Sequence, residues 1–177
     1  MAQFCKPLKT WHQMISIKSN LLFLYCLIFF SCKSKPQFSF SEININIKYS
    51  SLYEYDLQNE FYTVYFLSKP PYKVKFSLTE IEKKQIVNDY YLYKINEIDT
   101  ACVFDDECHI MPKLFTSLNI KSPYHLQKIE IDMSCNNFSF FKKDKAKKVR
   151  KFILSIQKIL MSKSEIKNGP KSDIVSL

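Results

Sequence analysis

Six residues that could do chemistry crowd into positions 102 to 109: Cys102, Asp105, Asp106, Glu107, Cys108 and His109. As a metal site, Cys102, Cys108 and His109 would need a fourth ligand, for which His125 or Cys135 could serve. Five residues separate the two cysteines, however, where structural zinc sites usually have two to four. The carboxylates raise calcium as a ligand, but no aspartates alternate and no glycine is present to make the sharp turn of an EF-hand loop. The plainest chemistry is a Cys102–Cys108 disulfide in an acidic loop, with free thiols and a metal as the competing readings. Three cysteines follow Cys32, so one is left over.

Thiol catalysis would require Cys108 or Cys135 to be activated by His109 or His125, with an oxyanion donor nearby. Gly169 is the only glycine, so little backbone can approach a substrate closely. Adjacent Cys108 and His109 do not usually face each other. No Gly-x-Ser-x-Gly elbow, phosphate loop or His-Glu-x-x-His pair occurs. The expectation is therefore no catalytic residue, no metal, no cofactor and no small-molecule substrate.

The second chemical cluster is basic: Lys142, Lys143, Lys145, Lys147, Lys148, Arg150 and Lys151. Val149, Phe152, Ile153, Ile156, Ile159 and Leu160 share one helical face, so the lysines fall at the start of an amphipathic helix. They oppose its dipole there, with Asp144 alone compensating. Charges held against a local preference can serve an anionic partner; the bland alternative is a solvated face of interchangeable lysines. This cluster is the anion-binding candidate.

An address precedes these residues. Leu21 to Phe30 is apolar, Ser31 and Cys32 end it, and Lys6, Lys9 and Lys18 lie upstream with no acidic residue before Glu42. A positive start, a short apolar middle and a small residue before the cut are the parts of an export signal. The middle is about ten residues, half the roughly 20 needed to span a bilayer as a helix, so cleavage is expected rather than a permanent anchor. Met14 is a second candidate start. Leu27-Ile28-Phe29-Phe30-Ser31-Cys32 resembles the lipobox of bacterial lipoproteins, although Phe29 stands where the family usually has leucine. The resemblance implies cleavage by signal peptidase II before Cys32 and acylation of that cysteine with palmitate-type chains. Lys33 to Gln37 reads as a tether.

The chain thus divides into a signal peptide (1–31), a lipidated cysteine and tether (32–42), a single domain (43–161) and a polar C-terminal tail (162–177). Formal charge is +9 overall; after Cys32 there are 23 basic and 17 acidic residues, or +6. In an exported protein this mild excess points to anionic surfaces rather than nucleic acid.

The elements that must position these groups are partly legible. Ile43 to Ile47 alternates strictly, Phe61 to Leu67 is aromatic and β-branched and stops at Pro70-Pro71, and Tyr72 to Phe76 alternates again. These predict an antiparallel meander. Ser77-Leu78-Thr79-Glu80 has the form of a capping box and predicts a helix from about Leu78, with Tyr91 to Ile98 able to turn back into strand. Leu126 to Met133 and Phe138 to Phe141 predict a hairpin turning at Ser134 to Asn137. A closing helix from Lys145 ends after Met161. The fold class is α+β: a small antiparallel sheet with two packing helices, order βββαββα.

This order, with Phe29 to Lys35, Phe76 to Lys83 and Ser164 to Ile174, resembles small lipoproteins of the Bacteroidota. The resemblance implies an outer-membrane location facing the periplasm and carries no activity. The function expected is a membrane-anchored, non-catalytic binding or accessory domain with an envelope protein or anionic lipid as partner. The alternatives are an immunity or inhibitor lipoprotein against a toxin or hydrolase and, behind it, a metal-dependent or cysteine hydrolase.

Overall fold

Alternation decides which side chains of this chain reach the core. The computed structural model describes residues 38–105, 113–134 and 137–174, which belong to one compact unit beginning at Phe38. In β1 (Asn44–Tyr49) Ile45 and Ile47 are buried while Asn44 is exposed. β2 (Tyr53–Asp56) sends Tyr53 and Tyr55 to the same side as the isoleucines, and β3 (Phe61–Val64) sends Tyr62 and Val64 there. β4 (Tyr72–Lys75) pairs with β3 and forms one edge; Pro70 and Pro71 before it and its lysines discourage further strand pairing.

Helix α1 (Glu80–Leu92) follows. Two overlapping capping boxes are written in the sequence, and Thr79/Glu82 is used rather than Ser77/Glu80. The Leu78 amide donates to Glu60 (3.3 Å) and Leu78 is buried, so the chain is still extended there. Thr79 Oγ1 accepts from the Glu82 amide (3.3 Å) and Glu82 accepts from the Thr79 amide (2.7 Å), fixing the start two residues later. A short 3-10 turn (Ile95–Glu97) leads into β5 (Ala101–Phe104), and the long strands β6 (Phe115–Lys121) and β7 (Leu126–Asp132) complete the sheet. Its order is β4-β3-β2-β1-β6-β7-β5, antiparallel throughout except that β5 runs parallel to β7.

Helix α2 (Phe140–Met161) and the single turn α3 (Ser164–Lys167) follow. α2 buries Ala146, Val149, Phe152, Ile153, Ile156 and Leu160 against the sheet and α1; the rings of Tyr90 and Phe152, 6.2 Å apart, join the two helices. Among the described residues no helix is long and apolar enough to cross a membrane.

The α+β class holds, and the finer expectation is corrected. The sheet has seven strands instead of a small antiparallel set, it is mixed, and three helices follow the order ββββαβββαα. Phe138 to Phe141 is not the second arm of a hairpin: the Ser139 carbonyl accepts from the Lys142 and Lys143 amides (3.0 and 2.9 Å), so helix α2 begins at Phe140. The antiparallel partner of β7 is β6, which precedes it. Residues 162–174, polar by composition, lie on the domain: Ile166 is buried, and Ser172 Oγ donates to the Tyr65 carbonyl (2.6 Å).

Candidate functional site

The covered face of β1, β2 and β3 carries Tyr49, Tyr53, Tyr55 and Tyr62 beside Ile45, Ile47 and Val64. In register, Tyr49 pairs with Tyr53 and Tyr55 with Tyr62. Their rings make a continuous aromatic floor: Tyr55 and Tyr62 stack at 4.9 Å and 20°, Tyr53 and Tyr62 at 6.1 Å and 23°, and Tyr49 meets Tyr55 edge-on at 5.5 Å. Above the floor is a cavity of about 480 Å³, within the size range of small-molecule sites. Met133, Met161 and Ile166 supply apolar walls, and Lys167 and Lys171 stand exposed at its rim.

A strap of residues 164–174 forms the far side. Gly169 lets it lie flat, because a Cβ there would stand 3.2 Å from both Tyr62 Cε1 and the Glu165 carbonyl oxygen. Asp173 then pins the strap's end: its carboxylate accepts from the Leu67 amide (2.8 Å) and from the Ser68 hydroxyl. Those bonds hold the Asp173 carboxyl below the usual aspartate range, the Ser68 hydroxyl contributing most.

The phenols of the floor are neutral groups. Burial pushes Tyr49 and Tyr55 far above the ordinary tyrosine value, and pushes Tyr62 up to about 12. They can donate hydrogen bonds and offer ring faces, and they cannot act as bases near neutrality. The Tyr49 hydroxyl is buried and has no hydrogen-bond partner among the described residues. The sequence reading did not find this site. Its signal was the crowding of five tyrosines between positions 49 and 65, which composition alone does not assign to one face.

The basic cluster is resolved into two groups by the helix it lies on. Lys142 donates to the Val103 carbonyl (3.3 Å), Lys145 pairs with Asp99 (3.1 Å), Lys148 with Asp144 (2.6 Å), and Arg150 donates to the Met133 carbonyl (3.3 Å). Lys143, Lys147 and Lys151 are exposed, lie four residues apart and make no ion pair among the described residues. At 100° per residue, Lys158 continues their line, and so do Phe140, Leu154 and Met161, which are 87, 45 and 45 % exposed. The outward stripe of α2 is thus lysine interleaved with large apolar side chains, opposite the buried stripe.

The cysteine loop is only partly described. Cys102 lies half-buried on β5, packed against the core at the level of Ile129; burial first, and then Asp99, pushes its thiol up, the reverse of an activated nucleophile. His125, exposed at the β6–β7 turn, is four residues from Ile129 along β7, roughly 13 Å at strand spacing. The structure therefore does not bring His125 to Cys102. Among the described residues no three His, Cys, Asp or Glu side chains gather as a metal site, and Cys102 has no disulfide partner among them. Cys108, His109, Asp106, Glu107 and Cys135 lie outside the described residues, as does Cys32, so the expected disulfide and the expected lipidation stay expectations.

Compared with known proteins, the chain matches no family model, no curated protein and no solved structure, so its site is read from its own residues.

Proposed function

We propose that this chain is a lipid-anchored, non-catalytic domain of the bacterial cell envelope, tethered through Cys32 and resting the outward stripe of α2 on an anionic membrane surface. The observation that carries the reading is the stripe itself. α2 holds eight basic residues against one acid, and Lys143, Lys147, Lys151 and Lys158, which make no ion pair among the described residues, share their line with Leu154 and Met161. Lysines meet lipid phosphates, each worth about 1 kcal/mol near such a surface, while apolar side chains between them enter the headgroup layer. An acidic protein would satisfy the lysines but has less use for exposed leucine and methionine at the same line. A lipid tether keeps the domain within reach of the surface and adds the second signal that stable anchoring needs.

The test is co-sedimentation of the full chain with vesicles of phosphatidylglycerol and phosphatidylcholine, at low and moderate salt. Binding to the anionic vesicles that weakens with salt is expected. Changing Lys143, Lys147 and Lys151 to glutamate should remove most of that salt-dependent component without unfolding the domain, since none of the three is buried. Salt-insensitive binding unchanged by the triple variant, or binding only to acidic envelope proteins, overturns the membrane reading.

A further inference from the structure

We propose that the tyrosine-floored cavity is a binding site for a small amphiphile, a molecule with one anionic group and an apolar body. The body is argued from the walls. Stacked rings of Tyr53, Tyr55 and Tyr62 form one side, and two thioethers, Met133 and Met161, form part of the other, giving a flat, apolar space that can adapt its width. A concave, largely apolar cavity of about 480 Å³ that opens to solvent at one side is of a size that holds a small ligand. The charge is argued from the rim. Among the described residues, Lys167 and Lys171 are the only charged residues lining the cavity, and no carboxylate side chain lines it.

A third observation is independent of both. Tyr49 lines the cavity, its hydroxyl is buried, and no acceptor is within reach among the described residues. A buried donor without an acceptor is costly, and an oxygen of a bound molecule would satisfy it. The phenol is protonated, so it donates. Carboxylate or sulfonate groups fit both the lysine rim and a phenolic donor; whether the body is a flexible acyl chain or a fused ring is left for the probes to separate. The inference does not depend on the membrane reading, since it uses a different face of the molecule apart from Met161.

The experiment is equilibrium dialysis of the full chain against labelled dodecanoate, 1-naphthoate and the neutral analogue dodecanol. One anionic probe retained at about one per chain is expected, roughly tenfold more tightly than dodecanol. Dodecanoate and naphthoate distinguish acyl from aryl bodies. In the double variant Lys167→Glu, Lys171→Glu the preference for the anion should vanish while dodecanol binding is unchanged. Tyr49→Phe should weaken the anionic probe yet raise the melting temperature, because it deletes a buried hydroxyl that has no partner among the described residues. Retention of none of the three probes, equal retention of anion and alcohol by the unaltered chain, or indifference to both variants overturns the proposal. Should Tyr49→Phe lower the melting temperature, the hydroxyl is structural and its assignment to a ligand fails. Loss of vesicle binding with intact probe retention would count against the membrane reading alone.

Discussion

Two polar residues do more for this fold than their number suggests. Gln127 is 1 % exposed, yet its amide donates to the carbonyls of Ile95 (2.8 Å) and Ile98 (2.7 Å) and its oxygen accepts from Tyr90 (3.2 Å). It ties the 3-10 turn, α1 and β7 into one buried network with every group satisfied. Gln127→Leu should destabilise by about 2 to 4 kcal/mol, since it strands a phenol and a carbonyl in the core, a loss readable by urea unfolding. Asp173 works at the surface and through pH. Its carboxyl is held below the ordinary aspartate value when the strap is closed, so its contribution is present above the normal aspartate range and is lost as pH falls through the depressed value. The protection factors of the Leu67 and strap amides, taken against the intrinsic exchange rate at each pH, should therefore fall at acid pH, and Asp173→Asn should show the same loss of protection at neutral pH; protection that ignores both would mean the strap is held by Ser172 alone.

At the scale of elements, the chain turns without glycine. Ser50, Glu60 and Lys94 all take left-handed backbone conformations, with φ of 53°, 57° and 55°. Lys94 is exposed and its pair with Glu97 is loose (3.7 Å). Lys94→Gly should stabilise by about 0.5 kcal/mol, the relief of a left-handed L-residue less the entropy of glycine, measurable as a raised unfolding midpoint. Which elements were legible in the sequence follows from their periodicity and length. The closing helix declared itself through Val149, Phe152, Ile153, Ile156 and Leu160, all buried as that spacing requires. β1, β3 and β4 declared themselves through alternation and the Pro70-Pro71 stop. β2 did not, because Tyr53-Glu54-Tyr55-Asp56 is only four residues long and tyrosine is ambiguous between core and surface. β6 puts Thr116 inward beside Leu118 and Ile120, which blurs its period, and β5 is a four-residue edge whose parallel pairing depends on a distant strand. Phe138 to Phe141 misled in the other direction: Phe138 is buried and Phe140 is exposed, so its aromatic density marks a helix start rather than a strand.

Across the whole molecule, the two candidate surfaces differ in how they could be read. The basic cluster was visible as composition, but only the helix phase separates the residues that pair with Asp99, Asp144 and backbone carbonyls from those that line the outward stripe. The cavity was not visible, since it arises from register across three strands and from a strap more than 100 residues away in sequence. The central claim is that the stripe faces lipid. It is tested most directly by placing tryptophan on it in the processed, lipidated chain, which has lost the single native tryptophan, Trp11, with its leader, and measuring quenching by brominated anionic lipid. Leu154→Trp lies within the stripe, whereas Ile81→Trp sits exposed on α1 and serves as the reference. The account predicts strong quenching at position 154 and little at 81, with the difference abolished by changing Lys143, Lys147 and Lys151 to glutamate. Equal quenching at both positions, or none at 154 when the chain is anchored to the vesicle, would contradict it.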